Sequence, residues 1–267
     1  MKNWKKRAGL ALTLKELPEF APWLIETGRD VELQDITYGE VMEGDWQAVA
    51  SQIKILLDGH PGRIGIHGPF WHLNIAPRDP AVRRLVQERL NLGLDFAQAI
   101  GGTHMVVHSP FDFFGHPQAV PGARLAPELE RVAQTMQPIV QRAEQEGVTL
   151  VIENIYDLSP SALIALVQAL DSDAVRLSVD TGHAHLMTQR GGPPPQTWIE
   201  TVAPYLGHVH LCDNDTTNDQ HLAPGRGTIH WGSVERALDK APETARLLVE
   251  VKASELGLGR QWLEQRA

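Results

Sequence analysis

Disulfides are the first thing this sequence does without. Its 267 residues contain one cysteine, Cys212, so no internal disulfide framework can form, and the chain suits a reducing compartment. Long apolar runs are missing as well. No stretch approaches the roughly 20 apolar residues that span a bilayer. The basic N-terminus (Lys2, Lys5, Lys6, Arg7) lacks the apolar segment of a secretory signal. A cytoplasmic location with no membrane partner is the expectation. Positive charge is scarce: 24 Lys and Arg stand against 33 Asp and Glu, a net charge of -9, with no block of five like charges. The overall field therefore does not draw the chain to nucleic acid, although a local basic groove stays open. The hydrophobic fraction of 42% and charged fraction of 21% suit a globular chain able to bury a sizeable core.

What is present is an alternation of short apolar strands with helical patterns. Strands are predicted at Arg7–Leu12 (RAGLAL), Val31–Ile36 (VELQDI), Arg63–His67 (RIGIH) and Thr103–His108 (THMVVH). Four more follow at Val148–Glu153 (VTLVIE), Arg176–Asp180 (RLSVD), His208–Leu211 (HVHL) and Leu247–Val251 (LLVEV). Helices are predicted over Leu14–Thr27, about Gly44 to Asp58, Pro80–Ile100, Leu125–Glu146, Pro160–Leu170, roughly Thr197–Tyr205 and Trp231–Lys240, with a short one at the end. Asp79-Pro80 and Ser159-Pro160 are helix starts, and Gly101-Gly102 is a stop. Strands that are nearly all apolar imply burial on both faces, hence parallel pairing. Eight such units without a linker predict a single (β/α)8 TIM barrel spanning residues 1–267.

Site residues of such a barrel sit at the C-terminal ends of its strands. For strands three to eight those ends are His67, His108, Glu153, Asp180, His210 and Glu250. A lone histidine there is ordinarily a hydrogen-bonded structural residue, and a lone carboxylate can pair with an arginine. Six metal-type donors at equivalent positions are harder to explain that way, because buried carboxylates are costly unless paired or metal-bound. His183, three residues after Asp180, can join the same place through one short turn; His185 reads as structural. The stretch 208–231 leaves its strand into a polar loop holding Asp213, Asp215, Asp219 and His221, then closes with Ala223-Pro224-Gly225-Arg226-Gly227. Counting Asp219 and His221, nine donors result: five histidines, two aspartates and two glutamates. Borderline cations such as zinc or manganese accept such mixed N and O donors, and one to three ions per chain can be served. Phe70, Trp71, Phe111, Phe113 and Phe114 lie in the loops after strands three and four. Phe70 and Trp71 are candidates to meet a substrate ring, or else cover the barrel mouth or a subunit interface, so a homo-oligomer stays open. Arg226, between glycines, is a candidate for a substrate phosphate or carboxylate, or a solvated turn.

Taken together, Ile66-His67-Gly68-Pro69-Phe70, Val107-His108-Ser109-Pro110, Val151-Ile152-Glu153-Asn154, Val179-Asp180-Thr181-Gly182-His183, Val209-His210-Leu211 and His221-Leu222-Ala223-Pro224-Gly225-Arg226-Gly227-Thr228-Ile229, with Glu250, resemble the xylose isomerase-like TIM-barrel superfamily. It includes sugar isomerases, ketose 3-epimerases, inosose dehydratases and endonuclease IV. The resemblance implies that Glu153, Asp180, His210 and Glu250 are the ligands of a single-metal isomerase or epimerase, with Glu153 and Glu250 also acting as acid and base. It implies equally that the nine donors match the three-metal set of endonuclease IV, an abasic-site phosphodiesterase. The chain departs from ketose epimerases near His221, where those enzymes often carry an arginine. It departs from the DNA enzyme in its first two strand–loop units, whose loops Thr13–Glu16 and Thr37–Glu43 are short and mildly acidic. The expectation is a divalent-metal isomerase, epimerase or dehydratase acting on a small polyhydroxylated carbonyl substrate, a sugar or sugar phosphate. The alternatives are an endonuclease IV-like phosphodiesterase with a trinuclear site, and a barrel that binds metal or ligand without turnover.

Overall fold

A parallel strand buried on both faces needs helices over one face and packed side chains on the other, which a closed barrel supplies. The computed structural model describes residues 4–113, 116–117 and 122–266, and in it eight parallel strands close such a ring. They are β1 (Gly9–Leu12), β2 (Val31–Leu33), β3 (Ile64–His67), β4 (His104–His108), β5 (Thr149–Glu153), β6 (Val175–Asp180), β7 (Leu206–Leu211) and β8 (Arg246–Glu250). Each pairs with its neighbours in sequence, and β8 pairs with β1 to complete the circle. The principal helices are α1 (Leu17–Thr27), α2 (Trp46–Leu56), α3 (Pro80–Ile100), α4 (Gly122–Glu146), α5 (Pro160–Leu170), α6 (Thr181–Met187), α7 (Pro195–Val202), α8 (Trp231–Leu238) and α9 (Leu256–Glu264). No helix among the described residues is long and apolar enough to cross a membrane.

Local chemistry explains where these elements start and stop. Asp79 accepts the N–H of Ala81 at 2.7 Å and Pro80 follows it, so α3 begins there. It ends at Gly101, whose φ of 75° is cheap only without a side chain. Elsewhere the structure departs from the sequence pattern. The second strand stops at Leu33 rather than Ile36, because Asp35–Thr37 turns into a 3-10 segment while the Asp35 carboxylate accepts the N–H of Leu14 at 3.0 Å. The helix expected from about Gly44 is α2, started by Asp45 accepting the N–H of Ala48 at 2.9 Å, while the preceding stretch read as a loop, Thr37–Glu43, holds a short helix of its own at Gly39–Glu43. The turn expected after Asp180 is the first turn of α6, capped by Asp180 itself through the N–H of His183 at 2.6 Å.

Candidate metal centre

The strands deliver the donors to one rim. β3, β4, β5, β6 and β8 end on His67, His108, Glu153, Asp180 and Glu250, and β7 carries His210 one residue before its end. Register sets His108 beside Glu153 and Asp180 beside His210 on adjacent strands. All nine candidate donors take part in three mutually close sets: His67, His108 and Glu153; Glu153, Asp180, His210 and Glu250; and His183, Asp219 and His221, the atoms of each set lying within 4.8 Å of one another. Glu153 belongs to the first two, and His183 Nδ1, 3.3 Å from Glu153 Oε1 and 3.5 Å from Asp180 Oδ1, ties the third to them.

Hydrogen bonds settle which ring nitrogen faces inward. His67 Nδ1 donates to the carbonyl of Gly68 at 2.9 Å, His183 Nδ1 to that of Asn154 at 3.0 Å, and His221 Nδ1 to that of Glu250 at 3.3 Å. Their Nε2 atoms therefore point into the centre, the arrangement a metal-binding imidazole needs. His67 Nε2 faces His108 Nε2 at 3.2 Å, and the Nε2 atoms of His183 and His221 face the same oxygen, Asp219 Oδ2, at 3.2 and 3.1 Å. Such lone-pair confrontations hold only with a proton or a cation between them. Glu153 Oε1 and Oε2, His210 Nδ1 and Asp219 Oδ1 are buried without a hydrogen-bond partner. A divalent ion fits this donor set, which is short of partners in the very places an ion supplies one.

The electrostatics agree. Burial raises the Asp180 carboxyl, and neighbouring Glu153 and Glu250 push it further despite His183. Burial disfavours the ionised form of Glu153 too, yet His210 and His183 outweigh it and hold Glu153 well below the usual carboxylate range. Burial alone depresses an imidazole; for His183 the charge of Asp180 together with Asp219 and Glu153, and for His210 the charges of Glu250, Glu32 and Glu153 together, more than reverse this, and against the same burial His221 is pushed up to about 9 by its bond to Asp219 and the charge of Glu250. Protons thus occupy the donor cluster near neutral pH, where a bound cation would displace them.

Other site residues escaped the sequence reading. Glu32, fully buried inside the barrel, accepts from His210 Nε2 at 2.9 Å and from His104 Nε2 at 3.2 Å. Its one signal was a charge inside an apolar strand. Gln34 donates to Glu250 Oε1 at 2.6 Å. Asp213 holds the loop that carries Asp219 and His221, whereas Asp215 is exposed and bonds Thr217. Above the donors lies a cavity of about 390 Å³, walled by Tyr38, Phe70, Trp71 and Lys252 among others. Phe70 stacks on His108 with ring centroids 4.2 Å apart, so its face steadies a donor, while Trp71 stands exposed at the rim. Phe111 is buried; Phe114 and the side chain of Phe113 lie outside the described residues. Arg226 does not line the cavity: its side chain is exposed beside Glu255, and Lys252 is the one Lys or Arg among the described lining residues.

Comparison with known proteins agrees with this architecture. The family described as xylose isomerase-like TIM barrel matches residues 32–266. The uncharacterized protein MJ1311 of Methanocaldococcus jannaschii is 26% identical over 223 residues, covering 79% of this chain and 73% of its own. The TTHB071 protein of Thermus thermophilus, solved after soaking with ZnCl2, superimposes with a TM-score of 0.75 at 28% identity, covering 97% of each chain. A D-tagatose 3-epimerase-like protein shares the fold at a TM-score of 0.74 and 21% identity, covering 97% of this chain and 96% of its own.

Proposed function

Because the chain belongs to the xylose isomerase-like TIM-barrel family, we propose that it is a divalent-metal-dependent isomerase, epimerase or dehydratase acting on a sugar, sugar phosphate or related polyhydroxy carbonyl compound. The observation that carries this reading is the donor set at and just beneath the cavity lining, to which Glu153 and Glu250 contribute. There Glu153 Oε2 and Glu250 Oε2 approach the same imidazole nitrogen, His210 Nδ1, at 3.2 and 3.3 Å, with Asp180 completing the set. Glu153, Asp180, His210 and Glu250 would hold zinc or manganese, which would supply Lewis acidity to a carbonyl and its neighbouring hydroxyl and so acidify the C–H of the hydroxyl-bearing carbon. Glu153, whose carboxylate lines the cavity, is placed to take that proton. Glu250 has Oε1 fixed by Gln34 and Oε2 turned to the donors, and is suited to return a proton from a second position. Tyr38 and Trp71 at the rim offer ring faces to the apolar side of a sugar, and Lys252 offers a charge to an anionic substituent. The fold shared with the D-tagatose 3-epimerase-like protein supports the assignment.

The gathering of all nine donors favours a second reading, a phosphodiesterase with the further sets His67, His108, Glu153 and His183, Asp219, His221 also filled. A nucleic-acid backbone, however, calls for several phosphate contacts, and the described cavity lining provides one lysine. Metal content per chain, measured with two substrate panels, separates the readings. Deuterium entering a ketose from heavy water supports the isomerase; cleavage of an abasic-site duplex with about three ions bound replaces it with the second. Glu153→Gln removes whichever activity is present.

A further inference from the structure

One layer below the donors, the barrel interior holds a carboxylate that no step so far employs. Glu32 on β2 has no solvent exposure and lies opposite Gly65 on β3. The missing side chain at Gly65 matters: a Cβ there would sit 1.8 Å from Cε1 of His104, so glycine alone lets the His104 ring on β4 pass over β3. Three imidazoles then converge on Glu32: His210 Nε2 at 2.9 Å on Oε1, and His208 Nε2 at 3.1 Å and His104 Nε2 at 3.2 Å on Oε2. Ser178 Oγ pairs with His208 Nδ1 at 2.8 Å and fixes that ring as well. Glu32 is thus the common anion of three buried rings, and His210 is the one of them that reaches the donor cluster.

What it supports is His210. His67, His183 and His221 give their second ring N–H to backbone carbonyls, but His210 gives its own to a carboxylate. That bond has two consequences at Nδ1, the atom facing Glu153 and Glu250. It fixes the ring with Nδ1 as the lone-pair nitrogen, and an anion behind the ring makes that lone pair a stronger donor. Neutral carbonyls perform the first task only. We propose that Glu32 is the positioning residue of the metal centre, fixing His210 as its Nδ1 donor and strengthening its hold on the ion. The inference rests on the metal reading above.

The test is metal affinity of the full chain rather than turnover. Metal-stripped protein is titrated with Mn2+ and with Zn2+ against a chromophoric chelator, and the visible absorption of the Co2+-loaded protein is recorded. Glu32→Gln keeps the volume and removes the charge; it is expected to weaken binding by about 10- to 100-fold and shift the Co2+ bands. Asp30→Asn is the control: Asp30 is a buried carboxylate just before β2, paired with Arg63 and outside the donor sets, and its loss should leave affinity within about twofold. A folded Glu32→Gln protein with wild-type affinity and an unchanged Co2+ spectrum overturns the proposal. If Glu32→Gln does not fold, Glu32→Asp keeps the charge and withdraws the oxygen from Nε2; weakened binding supports the proposal and wild-type binding overturns it. A wild-type chain that takes up no ion sinks the metal reading itself, an outcome distinct from a Glu32 variant that binds as well as wild type.

Discussion

Asp213 makes the sharpest stability prediction. Its carboxylate is fully buried and accepts four N–H groups: Asn214 N at 2.9 Å and Ile229 N at 3.1 Å on Oδ1, Gly225 N at 2.9 Å and Trp231 Nε1 at 2.8 Å on Oδ2. Four donors spread over residues 214–231 are thereby gathered on one side chain, which also bridges backbone to Leu222. Asp213→Asn preserves shape but replaces one acceptor oxygen with an NH2 group. In the milder orientation this NH2 confronts Gly225 N and Trp231 Nε1. The first is partly buried and within reach of water, whereas the indole N–H is buried and loses its partner. Leaving one buried donor unsatisfied costs about 1–3 kcal/mol, and hydrogen bonds to a charged acceptor are at the upper end. At about 2–4 °C per kcal/mol for a chain of this size, a cost of about 2–3 kcal/mol should lower Tm by roughly 4–12 °C. The same loop holds Asp219 and His221, so the ions bound per chain should fall or their affinity weaken in parallel. Thermal unfolding of metal-stripped wild-type and Asp213→Asn protein, each repeated with added Zn2+, measures both. An unchanged Tm together with unchanged metal protection would refute the view that Asp213 organises this loop.

Asp35 carries a pH-dependent load. Burial raises its carboxyl from 3.8 to about 6 despite the bond from Leu14. The folded chain therefore binds that proton more tightly than the unfolded one, so the stability it lends is complete below pH 3.8 and is lost as pH rises through 6, a difference of about 3 kcal/mol at most. Asp35→Asn should accordingly stabilise the protein at pH 8 and change little at pH 4 in denaturant titrations; equal effects at both pH values count against it. Gly65→Ala drives a methyl into the His104 ring and should cost more than about 4 kcal/mol or abolish soluble expression. A well-folded variant with normal Tm would show that His104 has somewhere else to go. Lys252→Ala should raise KM for a phosphorylated sugar about tenfold, and Arg226→Ala should leave it nearly unchanged; the reverse ranking returns the anion contact to Arg226.

The sequence by itself determined the barrel and the inventory of its rim. Apolar strands of four to six residues such as the one expected at Arg176–Asp180, alternating with helical patterns, admit few other arrangements, and strand ends face the site by the handedness of the crossover. The nine donors could be named because each stands at such an end or in a loop a few residues beyond it. What only the tertiary structure decided is how donors distant in the chain share space. Glu153 serving two sets, Asp219 meeting both His183 and His221, and Glu32 reaching His210 across 178 positions are consequences of barrel closure and register. Pattern along a chain reports which face a residue takes, because that depends on its neighbours in sequence. It carries no record of the partner on another strand. For that reason Glu32, a lone charge in a three-residue strand, and Lys252, two residues beyond Glu250, were invisible as site residues, while Arg226, readable equally as an anion contact or a solvated turn, is exposed and outside the cavity lining.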